Sequence, residues 1–449
     1  GSGWGNDDDW GSDDDWGTGD EWAPVETPNT EPEPAPSTYV PVTTSYVTLA
    51  KARYSHPEIQ GPVIHLKDIQ LQVVTPYDSF RIKNVDGEQL LSQRTFAGES
   101  GLVEWPGQNT RTRGIEVKLE QFSLKVDRAN FWTPNAKATF PGLFDGEVEG
   151  AFYWKSIRRR NQELSKYPKF ISYESDVKVD LGEKMQYVGG IAVEGDEVFG
   201  ESISRKRGTL TVLDAKGRTA VFRGRKFVFG EDVVRSEAAT VTLKFDGDSI
   251  YHESVAMRYD RDTEEMTIYR RKNLNTSPFV SSFHSVTLQT DLIRWTLGAD
   301  SLTLSTMNGK ELVPTIAESF DFYNKIRYEK LNGIFTFHPI SAFVFYARKY
   351  NTEFFYINEI AAEYDIDPNM ATGAAVMLKK YGFATFDRET GRVELMDKSF
   401  HFYDAASKKK DYDNMMIPSI SPAKPNAVLD LDSLGMKMSG VDRFFVTTY

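Results

Sequence analysis

Cysteine is absent from all 449 residues. No thiol nucleophile, disulfide or Cys-ligated zinc or iron–sulfur centre can form in this chain. The compartment stays open, because a large β-domain needs no disulfide staple. Long apolar runs are missing too: nothing approaches the roughly 20 apolar residues of a membrane-spanning helix. The chain starts at Gly1–Trp4 without Met or a charged-then-apolar leader, and it stops at Phe444–Tyr449 in what reads as a strand. It is therefore expected to be a fragment of a longer protein.

Catalytic signatures are equally scarce. The histidines, His56, His65, His252, His284, His338 and His401, include no pair at metal-ligand spacing. There is no G-x-S-x-G elbow, P-loop or dinucleotide fingerprint. "SYVTLAKARYSHP" brings Ser, Lys and His close together, but it reads as one strand, whose alternation splits them between faces. Asp246/Asp248 and Asp260/Asp262 could serve as glycosidase-type carboxylates. Their settings, "FDGD" and "YDRDTEE", are those of turn-forming residues. No catalytic, cofactor-binding or metal-ligating residue is assigned.

Basic residues are missing from one stretch. The net charge is −12, and residues 1–37 hold eleven acidic side chains and no cation. The remainder is nearly balanced. In "WGNDDDWGSDDDWGTGDEW", Trp4, Trp10, Trp16 and Trp22 recur every six residues, and an acidic Pro-rich run follows. Such a segment cannot bury enough apolar surface to fix its backbone, so residues 1–37 are expected to be a disordered linker. In an extended chain, six residues return each Trp to one side, which makes the four a candidate docking strip. Calcium at Asp7–Asp9 or Asp13–Asp15 does not fit the EF-hand spacing.

What is present is period two. "VIHLKDIQLQVV" (Val63–Val74), "GIEVKLEQFSLKV" (Gly114–Val126), "AATVTLKF" (Ala238–Phe245) and "EEMTIYRR" (Glu264–Arg271) alternate apolar with polar between turn residues. "LDAKGRTAVF" and "FDGDSIYH" read as hairpin turns. A recurring phrase, "GDSI", "ADSL" and "LDSL", each time precedes further alternation. It suggests stacked rungs rather than a closed barrel. The fold class expected is mainly β: extended, repetitive, antiparallel or stacked strands, solenoid or jelly-roll-like, over residues 38–332 and again over 401–449. One helix is predicted near 155–167, from "KSIRRRNQELSKYPKF". Its Arg158, Arg159 and Arg160 are candidates for docking an acidic partner, although a solvated helix end is the commoner reading of such a run.

Residues 333–400 break the pattern. "HPISAFVFYARKYNTEF", "INEIAAEYDI" and "DPNMATGAAVMLKKYGF" have helical periodicity, and the third has Asp367 as N-cap, Pro368 at its first position and Gly382 at its end. "ATFDRETGRVELM" then reads as a hairpin. This is the layout of a small α+β winged-helix-like insertion. Its charges do not suit DNA: Asp365 and Asp367 open the third helix while Lys379 and Lys380 close it, and Ser341–Met396 holds eight acidic and six basic residues.

"YWKSIRRRNQELSKYPKFISYESDVKV", "GGIAVEGDEVFG", "FDGDSIYHESVAMRYDRDTEEMTIYRR", "FHPISAFVFYARKYNTEFFYINEIA" and "KKDYDNMMIPSISP" resemble segments of very large envelope proteins of the Bacteroidota, from about Asp145 to the end. More loosely, "GDSIYH…MRYD…MTIYRR" is similar to the stacked-strand domains of lipopolysaccharide-transport and organic-solvent-tolerance proteins. These resemblances imply a periplasmic, outer-membrane-associated or cell-surface setting. They also imply a scaffold or binder without cofactors, whose partner is an envelope protein, a lipid or a glycolipid, with peripheral membrane association at most. A nucleic-acid-associated protein using the winged module and a polysaccharide-acting enzyme with a carboxylate pair are the alternatives.

Overall fold

The computed structural model describes residues 45–448 except 106–111, 159–164, 271–276, 308–313 and 422–424. Trp4, Trp10, Trp16, Trp22, Arg159 and Arg160 lie outside the described residues.

The first described element is a helix where alternation predicts a strand. Helix α1, Tyr46–Ala52, is capped by Ser45, whose hydroxyl accepts from the Thr48 amide at 3.2 Å. A good N-cap followed by Leu, Ala and Lys outweighs a weak period-two pattern.

Long antiparallel strands follow: Val63–Val74, Ser79–Leu90, Thr95–Glu104, Glu116–Lys125, Asn130–Thr139 and Glu147–Lys155. Each pairs with the next, and register shifts interrupt several ladders midway, between Leu66 and Leu71, Lys83 and Gly87, and Thr133 and Ala136. Such bulges bend a strand and strengthen its twist.

Most of the helix expected near 155–167 falls on residues 159–164, outside the described residues. Ser156–Arg158 and Ser165–Tyr167 carry no helix, and strand pairing resumes at Lys169. Lys169–Ser172 pairs with Gly150–Tyr153 and continues the meander.

From here the meander divides into two rows. One runs through Lys169–Ser172, Ala192–Glu194, Glu197–Gly200 and Phe227–Phe229. The other runs through Val177–Asp180, Met185–Gly189, Gly208–Leu213 and Thr219–Gly224. They meet again on one long hairpin, Val233–Phe245 with Asp248–Asp260. The first half of Val233–Phe245 pairs with Phe227–Phe229 and the second half with Thr219–Gly224, with a register shift between Ser236 and Val241. Beyond the hairpin the rows part once more. One continues through Glu265–Tyr269, Leu292–Thr296, Ser301–Ser305, Ala427–Asp430 and Met436–Met438. The other continues through Phe279–Ser281, Val286–Gln289, Thr315–Ser319, Asp413–Ser419 and Phe445–Thr448. Among the described residues every strand ladder is antiparallel and none returns to Val63–Val74, so the β-body is not a closed barrel.

Alternation decides what each row buries. Val241, Leu243 and Phe245 point inward while Thr240, Thr242 and Lys244 point out. The rows face each other across one continuous core. Tyr187 of one row meets Phe227 and Phe229 of the other edge-on at 5.6 and 5.0 Å, and Phe245 meets Trp295 at 5.4 Å. Burying rings of this size contributes about 1.5–3 kcal/mol each relative to exposure. The Tyr187 ring also needs bare backbone beside it: a Cβ on Gly189 or Gly208 would sit 2.3 Å from its hydroxyl. At one edge the recurring D-S turns come together. Arg218, almost fully buried, reaches Asp300 at 3.4 Å and Asp432, linking the "ADSL" and "LDSL" turns to "LDAKGR".

The insertion leaves the β-body and returns to it at neighbouring strands. Thr315–Ser319 pairs with Asp413–Ser419, and the Ser319 hydroxyl donates to the Asp413 carbonyl at 3.0 Å. Between them lie α2 (Lys325–Lys330), α3 (Pro339–Lys349), α4 (Ile357–Glu363), α5 (Pro368–Lys380) and α6 (Asp397–Ala406). A small antiparallel sheet of Phe354–Tyr356, Ala384–Asp387 and Arg392–Leu395 completes the module. Asp367 caps α5 by accepting from the amides of Asn369 and Met370 at 2.8 and 3.1 Å, and Gly382 follows the helix at φ +76°. The module's core draws on Tyr323, Phe402 and Ala405 as well as Phe343, Ile360, Leu378 and Val393. Packing therefore extends past the expected limits of 333 and 400 at both ends, and β-structure resumes only at Asp413. Among the described residues no helix is long and apolar enough to cross a membrane.

Candidate anion-binding cleft

The module's hairpin leans over the outer face of the second row, and the space between them is a cleft of about 660 Å³. Its floor follows from strand register. Thr209, Arg223 and Thr240 stand side by side on three adjacent strands, as do Thr211, Val221, Thr242 and Tyr251 on four. Their inward neighbours Leu210, Phe222, Val241 and Ile250 are fully buried, which pins the outward set in place. The loop before Gly208 adds Arg205, Lys206 and Arg207, and Arg225 and Lys244 rise from the strand ends. The module contributes Thr385, Asp387, Glu389, Arg392 and Glu394.

Two ion pairs clamp the walls. Lys379 at the end of α5 meets Glu253 at 2.7 Å, and Arg225 meets Glu389 at 2.9 Å. Glu253 is largely buried, and that burial raises its carboxyl above the ordinary range even though Lys379 pulls it back. Burial likewise pushes the Tyr251 phenol up to about 12. Beneath them His252 is 1% exposed and fixed in one neutral tautomer: Nδ1 accepts from the Ser254 amide and Nε2 donates to the Ser277 carbonyl, both at 3.0 Å. Burial pulls its pKa down to about 4. It is a structural histidine.

The cleft thus carries seven cations against four carboxylates. Between those charges, Thr240, Thr242, Thr385 and Tyr251 supply hydroxyls. Such a surface attracts negative charge and can also satisfy many neutral hydroxyl groups. Continuous polyphosphate would meet Asp387, Glu389 and Glu394 on the module side.

The residues singled out in the sequence lie elsewhere. Arg158 is exposed just past the strand Glu147–Lys155, and it does not line the cleft. Asp248 accepts from the Ser282 hydroxyl at 2.8 Å, and Asp260 from the Thr263 amide at 3.1 Å, which are turn roles. The cationic wall had a signal in "SRKRG" and "FRGRKF", two basic clusters on segments that alternate. Only the pairing of their strands puts them on one face. No protein-family model, no curated protein and no solved structure matches this chain.

Proposed function

We propose that this chain is a non-enzymatic binding scaffold whose cationic cleft holds an anionic saccharide, with the cell envelope as its setting. The observation that carries the reading is the cleft wall: Arg205, Lys206, Arg207, Arg223, Arg225, Lys244 and Arg392 around a floor of hydroxyls. Acid groups on a sugar pair with the cations, and ring hydroxyls meet Thr and Tyr. The bent, divided meander supports the jelly-roll-like, stacked-rung reading of the β-body. The order α3, α4, α5 and hairpin supports the winged-helix reading of the module, whose hairpin serves here as a cleft wall. Carriage of lipid between the rows is no part of the proposal, because Trp295, Tyr187, Phe222 and Phe227 fill that space. A glycolipid would meet the protein through its sugar.

Titration of the protein with oligogalacturonate, neutral dextran and a short DNA duplex at moderate salt tests this. The acidic oligosaccharide is expected to bind, neutral dextran not to bind, and the Arg207→Glu/Arg223→Glu double variant to lose about tenfold or more in affinity. Equal binding by the double variant would overturn the proposal. So would duplex DNA binding more tightly than the saccharide, which would favour the nucleic-acid alternative.

A further inference from the structure

Behind the cleft, and sharing Tyr251, Glu253 and Thr385 with it, lies a smaller chamber of about 240 Å³. It forms where α6 and the turn after α5 close over Asp248–Asp260 and Val286–Gln289. Much of its wall is apolar, with Pro278, Val280, Phe320 and Met396.

Lys398 enters this chamber from α6. Its Nζ lies 5.3 and 5.7 Å from the ring centres of Phe383 and Phe402, and it has no ion-pair partner among the described residues. The carboxylate that acts on it, Glu318, is already engaged, with both oxygens held by Arg327 at 2.9 Å. Burial accordingly pulls the Lys398 ammonium down to about 8. Thr287, 5% exposed, lines the same chamber and its hydroxyl has no hydrogen-bond partner among the described residues. A half-buried cation whose neighbouring carboxylate is held by another residue, and a buried unused hydroxyl, stand beside apolar walls and are ready to be met by a ligand.

We propose that the chamber binds a small monocarboxylate with an apolar body. Its carboxylate would sit on the Lys398 ammonium and the Thr287 hydroxyl, and its body against Pro278, Val280 and Met396. A charge-assisted contact inside a mostly apolar chamber is stronger than the same contact in water. The occupant touches both the β-body and the module, so it stabilises their docking by mass action. This site does not depend on the saccharide reading.

Benzoate is the probe, titrated calorimetrically into the whole protein at pH 6.5 and at pH 9.5. Binding needs the ammonium. With the Lys398 pKa at about 8 in the free protein, affinity is expected to fall about thirtyfold between those two pH values. Asp321, Asp397, Lys410 and the Glu253–Lys379 pair also surround the chamber. Burial holds His252 at about 4, so it stays neutral across the range, and burial also lowers His401. Lys398→Met should abolish binding. Thr287→Val, which keeps every charge, should weaken it several-fold and leave the pH midpoint where it is. Absence of benzoate binding, affinity independent of pH, or Lys398→Met binding like the wild type would each overturn the proposal. If Lys398→Met fails to fold, the pH series on the wild-type protein and Thr287→Val decide the matter.

Discussion

The β-body and the inserted module solve the same problem by different means. The β-body joins residues far apart in sequence: Ser301–Ser305 pairs with Ala427–Asp430, and Arg218 reaches Asp432. The module is local. Its helices α4 and α5 and the strands that follow pack on residues nearby in the chain. Because Ser319 and Asp413 lie side by side, the module can be inserted without breaking a single rung. The lesson is that the long meander sets the frame, and an independently wired unit docked on its outer face creates the two cavities. Neither region alone encloses the cleft or the chamber.

Three experiments bear on that contrast. The largest effect is expected from Trp295→Ala, since Trp295 is 1% exposed and bridges the two rows through Phe245. It should cost about 4 kcal/mol in chemical denaturation. If the module is independently wired, hydrogen exchange in α3 and α5 should change far less than exchange in the β-body. Equal loss in both would show one cooperative unit. Next, Leu378→Ala in the module's core should cost about 3 kcal/mol there. It should leave the β-body's unfolding midpoint near that of the wild type, since Leu378 lies in the module's own core and not in the wall of the chamber.

The third effect is pH-dependent and sits at the junction. His252 is neutral in the fold with its pKa lowered to about 4, against 6.5 when unfolded. Above pH 6.5 both states are neutral and the full stability is present. As pH falls toward 4 the unfolded state takes up a proton that the folded state refuses, so stability is lost, by about 3 kcal/mol at most. Stability curves at about pH 7 and about pH 4.5 should show the loss, and His252→Gln should flatten it. An unchanged slope in His252→Gln would assign the acid sensitivity to other groups.

Interior and exterior of the β-body also contrast. Inside it large side chains pack on partners, from Phe80 stacked on Trp154 at 5.4 Å to Tyr187 on its glycines. Outside, Arg207, Arg223 and Lys244 stand in a groove open to solvent. Binding capacity is therefore on the surface that the module half covers.

Much of this was legible beforehand. Alternation in Val63–Val74, broken once at Lys67–Asp68 where the strand bulges, and in Ala238–Phe245 identified strands, because a residue pattern of period two has only one way to bury a face. Asp367, Pro368 and Gly382 marked the ends of α5 through capping chemistry that acts within a few residues. The insertion could be placed because its helical period interrupts that alternation. The same local logic failed at Tyr46–Ala52, where one cap outweighed the pattern.

Most of the individual strands and helices are thus written into short stretches of chain, since alternation, capping and turn chemistry act over a handful of neighbours. Which of them meet is a matter of three-dimensional packing. "SRKRG", "FRGRKF" and Lys244 become one cationic wall because strand pairing and the loop before Gly208 bring them together, and Lys398 lines a chamber through the docking of α6. Those contacts join residues far apart along the chain, and no local period encodes them.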